Sequence, residues 1–153
     1  MRSDLLLLML GFLIGGCNQK QQVSTPPPSP PRGVVLFQNY CAACHQPDGS
    51  GMPGRIPPLA GSPWVSGSED RIIRIVLNGL RGPIEVNGTK FEVEMLGFGP
   101  VLGDEEVAEV LTEVRSRFGK ADVPILPEHV ARVRQATKDR FDYWTVPELL
   151  EIP

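Results

Sequence analysis

The stretch Cys41-Ala42-Ala43-Cys44-His45 decides how the rest of the chain is interpreted, because C-x-x-C-H is the attachment motif of a c-type haem. The two thiols can add across the vinyl groups of a porphyrin, and the adjacent imidazole then lies under the ring as an iron ligand. A thioredoxin-like redox pair would need a βαβ setting, and a zinc site would need two further ligands at metal spacing. The sequence offers neither pattern. It therefore predicts one covalently bound haem c per chain, with Cys41 and Cys44 as the thioethers and His45 as an axial ligand.

The third cysteine, Cys17, follows an N-terminal apolar run. Arg2 gives a minimal basic start, Leu5 to Ile14 form the apolar region of a signal peptide, and two glycines precede the cysteine. About ten apolar residues are too few to span a bilayer, which needs around twenty. The segment Ile14-Gly15-Gly16-Cys17 resembles a bacterial lipobox, which predicts a signal peptide at 1–16 and a lipid on Cys17. The alternative is an ordinary signal peptide that leaves Cys17 as a free thiol in an oxidising compartment.

Composition and charge limit the remaining possibilities. The chain has 18 acidic and 15 basic residues and no basic cluster, which argues against nucleic acid as a partner. Residues 17–32 are polar and then proline-rich, so they are predicted to form a semi-rigid, lipid-anchored linker, although a proline-rich docking ligand is an alternative. After the linker the chain is long enough for one domain, at 33–119, with an extension at 120–153.

The pattern Gly33-x-x-x-Phe37-x-x-x-Cys41-x-x-Cys44-His45 resembles the opening of class I c-type cytochromes, in particular bacterial monohaem cytochromes c. The segment Pro57-Pro58-Leu59 also resembles that family. The resemblance implies a mainly α fold in which helices pack around one covalently bound haem and the first helix crosses the last at close range. It also implies that the Pro57 carbonyl accepts a hydrogen bond from the axial His45. Glu113 departs from the family, which usually has an aromatic on that crossing face.

Helix and hairpin signals fill the segment between the motif and the extension. Ser68 and Asp104 each precede an acidic first turn and are predicted to cap helices that end near Asn78-Gly79 and Gly119. Asn87-Gly88 between two alternating apolar stretches predicts a β-hairpin. The apolar stripes of the two helices are expected to face the core. These stripes are Ile72, Ile73, Val76, Leu77 and Leu80 in the first helix, and Val107, Val110, Leu111, Val114 and Phe118 in the second.

Met95 is predicted as the second axial ligand. A thioether is a soft, neutral ligand, and the resemblance places the ligand after the hairpin and before the last crossing helix, where Met95 lies. Met52 is close to His45 in a glycine-rich turn, which leaves little chain to pass around the ring. His129 is interpreted as a solvated helix residue. The family often has a proline directly after this methionine, whereas this chain has Leu96.

The extension at 120–153 is predicted to contain short helices. Pro127 to Thr137 would pack Val130 and Val133, and Thr145-Val146-Pro147-Glu148 has the form of a capping box. Two interpretations stay open, since the segment could clamp the domain or present a surface to a partner. Trp64, Arg71 and Arg74 could contact haem propionates, but surface residues of these types are common, so none is predicted as a site residue.

The resemblance implies a one-electron carrier rather than an enzyme, and the lipobox-like segment implies that this carrier is tethered to a membrane. Its iron would cycle between the ferric and ferrous states, and its partners would be a dehydrogenase, an oxidase or another cytochrome on the periplasmic or extracytoplasmic side of a bacterial envelope. One alternative is a haem-based sensor or peroxidase-like protein in which Met95 is displaced. Another gives the haem a structural purpose and makes the extension the main interaction surface.

Overall fold

A computed structural model describes residues 29–153, and within them the chain forms seven helices and one two-stranded antiparallel sheet. The predicted signal peptide at 1–16, Cys17 and most of the predicted linker lie outside the described residues. No helix of the described part is long and apolar enough to cross a membrane. The elements are α1 (Arg32–Tyr40), α2 (Ala42–His45), α3 (Pro63–Ser66), α4 (Glu69–Asn78), β1 (Gly79–Val86), β2 (Thr89–Leu96), α5 (Asp104–Gly119), α6 (Pro127–Ala136) and α7 (Val146–Leu150).

Helix α1 crosses α5 at close range, as the resemblance implied. A Cβ atom at Gly33 would lie 2.5 Å from the carbonyl oxygen of Glu109, so the two backbones meet where α1 has no side chain. One turn further along, the rings of Phe37 and Phe118 pack with their centroids 5.4 Å apart. The aromatic contact of this crossing is therefore made by Phe118, while Glu113 lies beside Gly33.

Helices α4 and α5 form where the sequence predicts them, with differences in detail at their N-termini. Ser68 precedes α4, but its hydroxyl donates to the carbonyl of Pro153 at 2.7 Å instead of capping the helix. Asp104 is the first residue of α5 and not its cap. The cap position is held by Gly103, whose N–H donates to the Glu106 carboxylate at 3.0 Å. All five predicted stripe residues of α5 are buried.

Helix α4 separates two hydrophobic cores, whereas the sequence predicts a single buried face. Ile72, Ile73 and Leu77 pack with α1, α5 and α6 in the first core, and Ile75 packs in the second core under the hairpin. Leu80 also belongs to the second core, as a residue of β1 and not of α4. The second core was missed because Ile75 falls outside the predicted stripe. Its buried residues are Ile75, Leu80, Ile84, Val86, Phe91 and Leu149.

The predicted hairpin is present, and its strands extend beyond the alternating apolar stretches from which it was predicted. Asn87 and Gly88 form its two-residue loop with φ values of 51° and 77°, the left-handed conformations that such loops need. The strands pair from Val86↔Thr89 to Gly79↔Leu96, so Met95 lies within β2 near the open end of the pair. The prediction that the hairpin ends before Met95 is therefore wrong, because the strand pairing continues through Leu96.

The C-terminal extension packs against the domain. Helix α6 contacts α4 and α5 and buries Val130 and Val133, and α7 contacts β1 and buries Leu149. The Thr145 N–H donates to the Glu148 carboxylate at 2.8 Å, which is one half of the predicted capping box.

Substituting Gly33→Ala is expected to lower the free energy of unfolding by about 1–3 kcal/mol, because an added methyl group overpacks the crossing. Chemical denaturation of the haem-loaded protein measures the loss. Gln38→Ala is the matched control, since Gln38 is an exposed residue of the same helix and lies away from the crossing. Equal stability of the two variants would show that the crossing accommodates an added methyl group, contrary to this prediction.

Candidate haem-binding site

The C-x-x-C-H motif forms a single helical turn that continues directly from α1. The Cys41 N–H donates to the Phe37 carbonyl at 2.9 Å, and the His45 N–H donates to the Cys41 carbonyl at 2.9 Å. Residues three and four apart on such a turn share a face, so both thiols and the imidazole point to the same side. Cys41 is half-buried, Cys44 is exposed, and neither forms a disulfide. Burial, with a smaller contribution from Cys44, raises the pKa of Cys41 to about 11, so this side chain is a neutral thiol at pH 7.

The imidazole of His45 is oriented by a hydrogen bond to Pro57. Nδ1 lies 3.2 Å from the Pro57 carbonyl oxygen. A carbonyl only accepts, so Nδ1 carries the proton and Nε2 keeps a free lone pair. Burial lowers the pKa of His45 and the bond to Pro57 opposes that shift only in part, which leaves the ring neutral at pH 7. A neutral imidazole with Nε2 available is the form that binds iron.

A short turn after the motif brings Pro57 to His45. Met52 and Ile56 form an antiparallel bridge, with Met52 N–H···Ile56 O and Ile56 N–H···Met52 O both at 2.9 Å. The Gly51 N–H also donates to the His45 carbonyl at 2.9 Å. The chain therefore reverses within a few residues and presents the Pro57 carbonyl to the imidazole.

An apolar cavity of about 100 Å³ adjoins His45. Met95 reaches it from β2, and no charged side chain lines it. A second opening, of about 270 Å³, shares Cys41, His45 and Met95 with it and adds Cys44 at the surface. Aliphatic walls come from both cores, including Leu59, Ile72, Leu80, Ile84, Leu111 and Val114.

The donor set and the walls fit a haem. The apolar lining suits a porphyrin face, the two thiols lie at the opening, and an imidazole and a thioether are both available to iron. The zinc alternative finds no support, because no cluster of three or more His, Cys, Asp or Glu side chains suited to a metal occurs among residues 29–153.

The rival ligands lie elsewhere. Met52 is part of the bridge next to His45 and lines neither opening. His129 also lies away from both, and the interpretation of this residue as solvated is wrong. Its side chain is only 19% exposed, and its ring nitrogens each lie 3.1 Å from a carboxylate oxygen, of Glu69 and of Asp70. The partners are about 60 residues distant in sequence, so no local pattern indicates them.

Two aromatic residues of the site belong to no sequence motif. Tyr40 and Phe98 line both openings and pack edge to face with their centroids 6.0 Å apart. Tyr40 is adjacent to Cys41 and Phe98 lies three residues after Met95, and this proximity to the predicted ligands is the signal that could have identified them.

The residues considered for propionate contacts have other partners within the chain. Trp64 lines the cavity, and its indole N–H donates to the Glu85 carbonyl at 3.1 Å. Arg71 donates to the Ile152 carbonyl, and Arg74 pairs with Asp70 at 2.7 Å.

Comparisons with known proteins identify the family to which the chain belongs. Residues 28–112, more than half of the chain, match the family described as "Cytochrome C oxidase, cbb3-type, subunit III". Cytochrome c-552 of Thermus thermophilus is 39% identical over 103 residues, which cover 61% of this chain and 78% of the relative. The chain therefore belongs to this family of c-type cytochromes, as the sequence predicted. It is an electron-transfer protein, and the family implies haem c as its cofactor.

Other relatives are subunits of larger proteins. The gluconate 2-dehydrogenase cytochrome c subunit of Pantoea cypripedii is 34% identical over 106 residues, 67% of this chain and 24% of the relative. The fructose dehydrogenase cytochrome subunit of Gluconobacter japonicus is 31% identical over 113 residues, 69% of this chain and 22% of the relative. The similarity to these subunits thus concerns a fraction of their length.

The contact between His129 and α4 generates a pH prediction. Burial alone would raise the pKa of Asp70, but hydrogen bonds from Arg74 and His129 outweigh it and hold the pKa below its ordinary value. A carboxylate with a lowered pKa in the folded state stabilises the fold above its unfolded pKa of about 3.9 and loses this contribution as the pH falls. The variant Asp70→Asn is therefore expected to melt at a lower temperature than wild type at pH 7, with a difference that narrows toward pH 3.

Thermal melts of the haem-loaded protein across this pH range provide the measurement. Asp122→Asn, which changes an exposed carboxylate, is the matched control and should melt like wild type. A difference between Asp70→Asn and wild type that is the same at both pH limits would contradict a role for the carboxylate charge.

Proposed function

We propose that this chain is a monohaem one-electron carrier, tethered to a membrane by a lipid on Cys17, that serves redox proteins on the periplasmic or extracytoplasmic side of a bacterial envelope. One observation carries the proposal. His45, with Nε2 available, and Met95 line the same apolar cavity, and the two thiols of the motif lie at its opening.

The residues of the site have two roles, covalent attachment of the haem and ligation of its iron. Cys41 and Cys44 would hold the haem through thioethers, and His45 through Nε2 and Met95 through its sulfur would ligate the iron. Pro57 orients the imidazole and raises its basicity by accepting from Nδ1. The bound haem supplies an iron that alternates between the ferric and ferrous states.

The lining of the cavity supports an electron carrier better than it supports the sensor or peroxidase-like alternative. Two protein ligands would leave no iron position for a substrate, and no bond in another molecule needs to change. An acid–base catalyst would need a second titratable side chain near the open position. The cavity lining contains His45 and no carboxylate, lysine or arginine. His45 is already committed to Pro57. The opening beside Met95 adds Glu94, but this carboxylate is exposed and pairs with Arg81 at 3.4 Å, so it is not aimed at the iron position.

The tether follows from the sequence before the described residues. Removal of residues 1–16 would leave Cys17 as the lipidated N-terminus, and residues 17–32 would separate the domain at 33–119 from the membrane. Proline-rich chain of this kind extends by about 3.1 Å per residue. The extension at 120–153 completes the packed unit through its contacts with α4, α5 and β1.

Redox proteins are the proposed partners. Two relatives are cytochrome subunits of dehydrogenases by name. We therefore place the donor or acceptor of this chain among dehydrogenases, oxidases and other cytochromes, each of which would dock transiently.

Replacing the thioether tests the ligand assignment. The ferric wild-type protein is expected to show the weak long-wavelength absorption band that reports an iron–methionine sulfur bond, and Met95→Ala is expected to lose it completely. The midpoint potential should fall as well, because methionine ligation raises the potential of a haem.

Met52→Ala is the matched control for this experiment, because Met52 lies outside both openings. Its band should persist. A wild-type protein without the band, high-spin when reduced and quick to bind carbon monoxide would overturn the assignment and favour the sensor or peroxidase-like alternative.

The lipid anchor predicts a change of fractionation. The variant Cys17→Ser, expressed in a bacterium that processes lipoproteins, is expected to move from the membrane fraction to the soluble periplasmic fraction with its haem spectrum unchanged. Ser24→Ala, a change outside the lipobox, should stay with the membranes. Membrane retention of Cys17→Ser would show that another segment or a partner holds the chain.

A further inference from the structure

A segment of the extension adds to the edge of the hairpin that carries Met95. We call residues 140–145 the strap. The Trp144 N–H donates to the Gly79 carbonyl at 3.1 Å, and the Arg81 N–H donates to the Trp144 carbonyl at 2.8 Å. These two bonds form a parallel bridge between Trp144 and Leu80. The strap therefore acts as a short third strand beside β1.

Leu80 connects the strap to the candidate ligand. It pairs with Met95 in the register of the hairpin and with Trp144 on its other side. Three neighbouring backbones thus run from the strap through β1 to Met95. Met95 is in the second pair from the open end of the hairpin, and its neighbour Leu96 is 64% exposed. A two-stranded hairpin is marginally stable alone, so the end that carries Met95 depends on further contacts.

Close packing around Gly79 joins the strap to the backbone of Met95. Gly79 has a φ of 83°, and a Cβ there would lie 2.4 Å from the Met95 carbonyl oxygen and 2.6 Å from a ring carbon of Tyr143. The ring of Tyr143 and the backbone of Met95 therefore approach Gly79 together. A displacement of β2 at Met95 would disturb these contacts.

Contacts within the strap, and contacts with Glu148 and Asn78 outside it, hold the strap in place. The Arg140 guanidinium lies 3.6 Å from the centroid of the Trp144 ring and donates to the Tyr143 carbonyl at 2.8 Å and to the Glu148 carboxylate at 2.8 Å. The indole N–H of Trp144 donates to Asn78 at 3.3 Å. Neither Tyr143 nor Trp144 lines the cavity or its opening, so their influence on the site passes through the hairpin.

The geometry points to Tyr143 and Trp144 as positioning residues for the Met95 ligand. By holding the open end of the hairpin, they keep the thioether at the iron and set how often it detaches. The inference rests on the proposed function, in which Met95 is the axial ligand.

Competition with imidazole tests the inference on the ferric haem-loaded protein. Imidazole binds iron only when Met95 is detached, so its apparent Kd is inversely proportional to the fraction of protein in which Met95 is detached. Trp144→Ala is expected to lower this Kd by about tenfold, equivalent to about 1.4 kcal/mol in the detachment equilibrium. Trp144→Phe, which keeps a ring in place, should restore most of the wild-type value. Tyr143→Leu provides an independent variant should Trp144→Ala fail to fold.

Val133→Ala is the matched control, because it removes buried apolar volume from α6 in the same extension but belongs to the first core. It should lower thermal stability and leave the apparent Kd of imidazole within about twofold of wild type. An unchanged Kd in both strap variants, or an equal change in Val133→Ala, would overturn the positioning role.

Met95→Ala separates this failure from failure of the proposed function. If Met95→Ala binds imidazole no more tightly than wild type, Met95 is not the ligand, and the proposed ligation and the inference fall together. If Met95→Ala binds tightly and the strap variants resemble wild type, the ligation stands and the inference alone is refuted.

Discussion

The close crossing of α1 and α5 at Gly33 is the contact on which the rest of the structure depends. Because Gly33 has no side chain, the backbone of α1 rests against the Glu109 carbonyl of α5. Helix α1 then continues into Cys41 and His45 through backbone hydrogen bonds, without an intervening loop. The crossing therefore determines the position of the thiols and the imidazole. Helix α5 also supplies Leu111 and other residues of the cavity wall, so one helix contact fixes both the motif and the surface that faces it.

The two candidate ligands belong to different cores, with α4 between them. His45 follows α1, which packs in the first core, and Met95 packs on the second core under the hairpin. Residues two positions apart on α4 face opposite cores, as Ile73 and Ile75 do. The second core is closed by Leu149 of the extension. The extension thus packs on both sides of the site, through Val130 and Val133 in the first core and through Leu149 in the second.

Local patterns made much of the fold predictable. The haem motif, the Asn87-Gly88 loop and the valine-rich stripe of α5 each depend on residues within a few positions of one another, and the comparisons confirm the c-type cytochrome family. The roles of the site residues remain predictions with geometric support. What sequence reasoning missed depends on contacts between distant segments. His129 meets Glu69 about 60 residues away, and the buried Arg115 donates to the Val65 carbonyl at 3.1 Å. No periodicity or motif in the sequence indicates either contact.

The different chemistry of the two ligands explains why their surroundings differ. An imidazole has a second nitrogen, so a single hydrogen bond to Pro57 fixes both its orientation and its tautomer. A thioether is only a weak acceptor on a chain with three rotatable bonds, and no comparable bond can orient it. The position of Met95 must therefore come from its backbone and from packing. This is the physical reason for an aliphatic core beneath Met95 and for a hairpin whose open end is backed by an additional strand of the extension.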